Sequence, residues 1–136
     1  MYLFDASSIV NLVKRGLARV FMQGVTLDLA FYEALNAIWK EHVLLERIDE
    51  ETALEYAAVI ARVFQALERL DVQDYWEDVL RLAFSEGLTV YDAAYLYTAA
   101  RRGLTLVTDD QVLAEKAAKY VRVLSSSELA SRSELI

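Results

Sequence analysis

The chain has 136 residues, of which 56% are hydrophobic and 26% charged, and its formal net charge is −7 at pH 7. This length predicts a single domain over residues 1–136, and so apolar a composition excludes a disordered chain. The acidic balance argues against a simple basic nucleic-acid binder, so a site for an anionic substrate needs positive charge from elsewhere, such as a metal ion. The lack of Cys and the single His, His42, exclude disulfides, thiol nucleophiles and metal sites built on sulfur or several imidazoles.

The sequence shows no targeting segment. No stretch reaches the roughly 18 consecutive apolar residues that a bilayer span requires. The N-terminus has no basic region followed by an apolar run, as a signal peptide has. We therefore expect a soluble, cytoplasmic protein.

Apolar runs and helical spacing predict strands that alternate with helices along the whole chain. The predicted elements are, in chain order, a strand at 2–4, a helix from Ser7 or Ser8 to before Gly16, a strand at 25–27, a helix from Asp28, helices at 50–70, 76–84 and 91–102, a strand at 104–107, a helix at 111–120, a strand at 121–124 and a turn capped by 125–127. The predicted buried stripe of the helix at 50–70 is Leu54, Ala57, Ala58, Ala61, Phe64 and Leu67. This alternation predicts an α/β sandwich with a mostly parallel sheet, whose functional groups gather at the carboxyl ends of the strands.

Four carboxylates stand in apolar surroundings. Asp5 directly follows the first strand, and Asp110 follows the strand at 104–107. Asp92 and Glu33 lie inside predicted helices, where no basic residue occurs three or four positions away to pair with them. The strand-end rule places Asp5 and Asp110 on one edge of the sheet.

Buried carboxylates without partners are costly, so a cluster of them either takes up protons or binds a cation. Oxygen ligands with few or no nitrogens select Mg²⁺ or Mn²⁺ over zinc or copper. The natural chemistry of such a site is metal-assisted hydrolysis of a phosphate ester.

Each acid also has a purely structural interpretation. Asp92 fits a capping box with the threonine three positions before it. Asp110 fits the first turn of a helix capped by Thr108 or Asp109, and the first acid fits a turn at the end of a strand. Glu33 fits no such role, because it lies in the middle of a helix. A purely structural role is a less convincing explanation for all four acids together than for each acid alone, because the strand-end rule places two of them on one edge of the sheet.

Aromatic and basic residues add little to this picture. Tyr91 and Tyr95, one helical turn apart, are predicted to belong to the core rather than to a base-stacking platform. A basic rim for phosphates would draw on Lys40, Arg47, Arg62 and Arg69, and the sequence does not say whether they converge.

The segments around the four acids resemble motifs of the PIN-domain nucleases, specifically the small VapC-type toxins of toxin–antitoxin pairs. The matching segments are Leu3–Ser7, Ala30–Asn36, Val90–Ala100 and Leu104–Asp110. They occur in the family's order, and the resemblance runs from residue 3 to about residue 124. In the doublet Asp109–Asp110 the family pattern assigns the fourth acid to Asp110, with Asp109 outward as a helix cap.

The resemblance implies a PIN-like three-layer sandwich, with a mostly parallel sheet of four to five strands and helices on both faces. It also implies an endoribonuclease that depends on Mg²⁺ or Mn²⁺, forms a homodimer and is inhibited by a cognate VapB-like antitoxin. The implied metal ligands are Asp5, Asp92 and Asp110, with Glu33 as a general base or second ligand. Ser7, Asn36 and Thr108 are the implied groups that orient carboxylates and waters.

Two other classes of function are open at this point. A receiver domain that accepts a phosphoryl group has an acidic pair after the first strand and a Lys after the last. Here Ala6 follows Asp5, and the final strand leads into serines, which disfavours a receiver. A catalytically silent interaction module would keep the fold alone, and the presence of all four acids argues against it.

Overall fold

The computed structural model describes residues 1–134, which form short strands joined by helices. The strands are β1 (Tyr2–Phe4), β2 (Gly24–Leu27), β3 (Glu68–Leu70), β4 (Thr105–Val107) and β5 (Val123–Leu124). The α-helices are α1 (Ala6–Lys14), α2 (Leu29–Trp39), α3 (Glu50–Ala66), α4 (Trp76–Glu86), α5 (Val90–Arg102), α6 (Gln111–Ala117) and α7 (Ser126–Glu134). Short 3₁₀ segments cover Ala18–Gln23 and Gln73–Tyr75, and a π-helical turn covers Lys40–Leu44. None of the described helices is long and apolar enough to cross a membrane.

The strands form one parallel sheet in the order β3-β2-β1-β4-β5. The chain therefore moves outward from β1 to β3 and then returns to the opposite side of β1 as β4. This reversal makes the crevice between the carboxyl ends of β1 and β4 the switch point of the sheet, where α/β proteins place their ligands. The backbone N–H of Asp5 donates to the Val107 carbonyl at 3.1 Å, which extends the β1–β4 pairing to that crevice.

The helices divide into two groups that cover the sheet. Helices α1, α2, α3 and α7 pack on one another, as do α4, α5 and α6. Right-handed crossovers place helices from the outward and the returning connections on opposite faces of a parallel sheet. The central strands are accordingly buried on both sides, with Leu3, Phe4, Leu106 and Val107 fully inaccessible. The predicted α/β sandwich is confirmed.

The helix predicted at 50–70 is confirmed to Ala66 and is wrong only in its last four residues. Helix α3 ends at Ala66, the Leu67 backbone turns to an extended conformation, and Glu68–Leu70 pair with β2 as the edge strand β3. The Asp28 N–H also donates to the Leu70 carbonyl at 2.9 Å. Pairing with the free edge of β2 supplies hydrogen bonds that depend on tertiary structure, and this outweighs the local helical pattern.

The predicted stripe of this helix is correct at Phe64 and Leu67, which are buried, but is turned by about one position nearer the start of the helix. Leu54 is 65% exposed there, and the other buried side chains of α3 are Ala53, Ile60 and Val63. Two neighbouring apolar stripes run along this helix, and the sheet and α2 select which of them is buried.

Two helix ends and the terminal segment also differ from the sequence prediction. The cap of α1 is Asp5, rather than Ser7 or Ser8, and its carboxylate accepts from the Ser8 N–H. Helix α6 ends at Ala117, earlier than predicted. The predicted terminal turn is a helix, α7.

Gly24 gives a test of the close contact between β1 and β2. A Cβ there would lie 2.3 Å from the Tyr2 carbonyl oxygen and 2.7 Å from a Phe4 ring carbon. We expect Gly24→Ala to lower the free energy of unfolding by about 3 kcal/mol, the upper part of the usual range for overpacking. Gly103→Ala, at φ +65° with open space around it, should cost about 1 kcal/mol. Equal losses for the two variants in urea unfolding would contradict this packing.

Candidate active site

Asp5 is the most deeply placed of the four acids. It follows β1 at the switch point and is only 5% exposed. Its Oδ1 accepts from the Ser8 N–H at 2.9 Å and the Ser7 hydroxyl at 2.8 Å, and its Oδ2 accepts from the Thr108 hydroxyl. All of these donors are neutral, so they satisfy the oxygens without cancelling the charge.

Burial is the main influence on the ionisation of Asp5. It raises the pKa of this carboxyl to about 6, although hydrogen bonds from Thr108, Ser8 and Ser7 lower it. Desolvation thus exceeds the combined effect of the hydrogen bonds. A positive charge brought to Asp5 would favour the ionised form.

Thr108 joins Asp5 to Asp110. Its hydroxyl donates to Asp5 and accepts from the Asp110 N–H at 3.1 Å. Asp110 itself is the N-cap of α6, and its Oδ1 accepts from the Leu113 N–H at 3.0 Å. One carboxylate oxygen of Asp110 is therefore used in capping, and the residue as a whole is exposed.

Asp109 is directed elsewhere, and its expected role as an outward cap of the helix from Gln111 is wrong. Its carboxylate accepts from the Ser126 N–H at 2.7 Å, the Ser126 hydroxyl at 2.6 Å and the Asn11 amide at 2.6 Å. These bonds link Ser126, the first residue of α7, to Asn11 of α1 through the carboxylate of Asp109. Its own N–H donates to the Ser7 hydroxyl at 3.0 Å.

Glu33 lies in the middle of α2 and reaches toward Asp5 and Asp92. Burial raises the pKa of Glu33, the hydrogen bond from Tyr95 lowers it, and the charges of Asp5 and Asp92 raise it further. The Tyr95 hydroxyl donates to Glu33 Oε1 at 2.8 Å. Tyr95 is predicted to be a core residue, and its side chain is indeed only 1% exposed. The hydrogen bond of its hydroxyl to Glu33 was not predicted. Tyr91, also predicted to be core, is 60% exposed.

Asp92 completes the set from the first turn of α5. Its N–H donates to the Thr89 hydroxyl at 3.2 Å, which is half of the capping box. Burial and the charge of Asp110 raise the pKa of Asp92. The four acids therefore influence one another in the succession Asp5, Glu33, Asp92 and Asp110.

The donor set fits a hard dication, although the side chains do not yet converge on one point. Within residues 1–134, no three acidic or imidazole side chains stand together as a ready-made metal site. The donors are all oxygens, since His42 lies elsewhere and contacts the Ile48 carbonyl at 2.9 Å. Among the described residues, none of the four carboxylates forms an ion pair. Binding of one ion by several of these carboxylates would require their side chains to turn toward one point.

The remaining predicted residues form no hydrogen bond or ion pair with the four acids in the described part of the chain. Asn36 is exposed, and in the described part of the chain it donates no hydrogen bond to them. Arg62 lines an apolar groove beside Phe21, whereas Arg69 lines a separate depression with Arg101. These two arginines therefore do not share one basic rim.

An all-parallel five-stranded sheet with acids at its switch point has the architecture of a PIN-like fold. The chain is 42% identical to exonuclease VapC9 of Pyrobaculum aerophilum over 90 residues, 66% of this chain and 64% of that protein. It is 40% identical to ribonuclease VapC3 of the same organism over 91 residues, 67% of this chain and 69% of that protein. The alignment with VapC9 thus spans less than two thirds of that relative's length.

A solved structure extends the likeness to nearly the whole chain. The crystal structure of PAE2754 from Pyrobaculum aerophilum matches with a TM-score of 0.81 and 33% identity, over 99% of this chain and 97% of that one. No family model matches the chain. On the strength of these relatives, the chain belongs to the VapC family of PIN-domain proteins.

The raised pKa of Asp5 predicts how stability depends on pH in the metal-free protein. The folded pKa of about 6 exceeds the ordinary 3.8, so the contribution of Asp5 is full below about pH 4 and is lost as the pH rises through 6. We expect Asp5 to lower the free energy of unfolding by about 3 kcal/mol between pH 4 and pH 7. Urea unfolding in EDTA should show this slope to be weaker in Asp5→Asn. Parallel pH profiles for the two proteins would contradict the burial of a charge here.

Replacement of Asp109 should lower the free energy of unfolding more than replacement of the adjacent Asp110. Asp109→Ala removes three hydrogen bonds to a carboxylate and should cost about 2 kcal/mol or more. Asp110→Ala removes one cap and should cost about 1 kcal/mol. Hydrogen exchange in Asp109→Ala should also show faster opening of α7. Equal costs, with α7 unaffected, would argue against this division.

Proposed function

We propose that this protein is a metal-dependent endoribonuclease, a VapC-type toxin that hydrolyses RNA phosphodiester bonds at the acids 5, 33, 92 and 110. The observation that carries the proposal is Asp5, a carboxylate 5% exposed, held by neutral donors at the switch point of the sheet. Asp5 and Asp92 act on Glu33 as like charges, and Asp110 acts on Asp92 in the same way. Burial of such charges without a cation costs stability. The names of the VapC relatives, one an exonuclease and one a ribonuclease, support the coarser statement that this is a nuclease.

Asp5, Asp92 and Asp110 are the proposed ligands of a Mg²⁺ or Mn²⁺ ion, with Glu33 as a further ligand or general base. When bound, such an ion offsets the charge of the acids and of an RNA phosphate and lowers the pKa of a bound water. The positive charge is needed because the chain is acidic overall. Oxygen donors alone favour these two ions over zinc.

Other residues of the chain orient the acids. The hydroxyls of Ser7 and Thr108 fix both oxygens of Asp5. The Leu113 N–H fixes one oxygen of Asp110 and leaves the other available to a cation. Burial and the charges of Asp5 and Asp92 raise the pKa of Glu33, which makes its carboxylate a stronger general base.

The partners follow from membership in the VapC family. We propose RNA as the substrate, a VapB-like antitoxin as the inhibitor, a homodimer as the assembled form and the cytoplasm as the location. The name of one relative, ribonuclease VapC3, supports a nuclease acting on RNA.

A catalytically silent interaction module is the second candidate. The observation in its favour is that no three acids of residues 1–134 form a ready-made metal site. It predicts a folded protein that neither binds Mn²⁺ at millimolar concentration nor cleaves RNA. A receiver-like phosphoacceptor gains nothing from the structure, since the acid beside Asp110 is engaged with α7 rather than paired in the site.

The deciding experiment incubates the purified protein with Mn²⁺ and single-stranded RNA. We expect cleavage by the wild type, and a loss of at least about 100-fold in Asp5→Asn and Asp92→Asn, because the loss of a ligand should exceed the effect of losing its outer partners. Asp49→Asn is the matched control, because Asp49 caps α3 through the N–H three positions on, as Asp5 caps α1. Circular dichroism establishes that each variant is folded.

Circular RNA separates the two modes of cleavage, since one relative is named an exonuclease. An endonuclease opens a circular RNA, whereas an exonuclease requires an end. Cleavage of linear RNA alone would correct the proposal to an exonuclease. Undiminished cleavage in both Asn variants would defeat the assignment of the site.

A further inference from the structure

Tyr95 is a buried side chain with one polar atom inside the acid site. Its ring is 1% exposed and is among the largest fully buried side chains of the chain. A tyrosine in a core normally finds a partner for its hydroxyl. Here that partner is the Oε1 atom of Glu33, 2.8 Å away and 62 positions earlier in the sequence.

The bond joins two helices that belong to different layers. Glu33 lies on α2, in the group with α1 and α3, whereas Tyr95 lies on α5, in the group with α4 and α6. Tyr95 also follows Asp92 by three positions, about 4.5 Å along the helix axis. The hydroxyl therefore draws the carboxylate of α2 toward the acid of α5.

Glu33 needs such a restraint because its charged neighbours repel it. Both Asp5 and Asp92 act on Glu33 as like charges, and a glutamate side chain has several rotatable bonds with which to turn away. Within the described residues, the Tyr95 hydroxyl is the one donor that reaches its carboxylate. The bond engages Oε1 and leaves Oε2 for another partner.

Glu86 shows what a different set of donors does to a carboxylate. It accepts from the Tyr120 hydroxyl at 2.7 Å and from the Lys119 ammonium at 2.7 Å. That pair neutralises the acid, and the pKa of Glu86 lies below its ordinary value. Tyr95 holds Glu33 with no such cation beside it, so the charge remains available.

We infer that Tyr95 is a positioning residue, whose hydroxyl holds the Glu33 carboxylate beside Asp5 and Asp92 so that its second oxygen can meet a divalent cation. The part of this inference that concerns the cation rests on the proposed function. The part that concerns the position of Glu33 stands on the hydrogen bond alone.

Tyr95→Phe tests the inference by removing one oxygen while keeping the buried ring. We expect calorimetry to show Mn²⁺ affinity about tenfold weaker, the usual effect of losing an outer partner of a ligand. Tyr97→Phe is the matched control. Its hydroxyl, also on α5, donates to a carboxylate, that of Asp78 at 3.1 Å, and its loss should leave Mn²⁺ affinity unchanged.

A second pair of variants separates positioning from packing. In a Glu33→Gln background, Tyr95→Phe should weaken Mn²⁺ binding no further, because the hydroxyl acts through Glu33. An equal further loss in that background would overturn the inference, since Tyr95 would then act through the core. Unchanged affinity in Tyr95→Phe itself would overturn it as well.

Crystal structures of the wild type and Tyr95→Phe give a readout that does not depend on metal. The inference expects the Glu33 carboxylate to turn away from Asp5 and Asp92 in the variant. If it keeps its place, the inference is wrong. If the wild type neither binds Mn²⁺ nor cleaves RNA but Glu33 still moves, the proposed function fails while the positioning role of Tyr95 stands.

Discussion

The burial of an uncompensated negative charge at the end of β1 is the constraint on which the site depends. Asp5 caps α1, extends the β1–β4 pairing through its N–H and receives hydrogen bonds from both flanking segments. The hydrogen bonds to its carboxylate lower the cost of the charge, yet the pKa of Asp5 still rises to about 6. The fold therefore carries a local instability at this position, as proteins commonly do at functional sites.

The topology explains why these acids meet. The reversal of the chain between β3 and β4 opens a crevice beside β1, and it brings Thr108 and Asp110 against Asp5 across about 100 positions of sequence. Helices α2 and α5 begin on the same carboxyl edge, since helices that follow or precede parallel strands run back along them. Glu33 and Asp92 thus reach the crevice from opposite layers.

The sequence could predict the elements whose signals are local. The strands β1, β2 and β4 are short apolar runs, and the end of α5 is marked by Gly103 in the left-handed conformation. Edge strand β3 could not be predicted, because Glu68 and Arg69 are exposed and follow a helix without Gly or Pro. Only the unpaired edge of β2 makes that segment a strand.

In the candidate site, too, the sequence predicts the features that depend on local signals and misses those that depend on tertiary contacts. Strand-end position is a local property, and it places Asp5 and Asp110 correctly on one edge. The hydrogen-bond partners of a carboxylate are not local, which is why the sequence could not predict the link from Asp109 to α7 or the bond of the Tyr95 hydroxyl.

Neutral donors explain how the site stays charged. An arginine or lysine in their place would satisfy the same oxygens but neutralise them, as Lys119 does at Glu86, and a cation would then have nothing to bind. Hydroxyls and amide N–H groups orient the acids without neutralising them, which is what the proposed cation site requires.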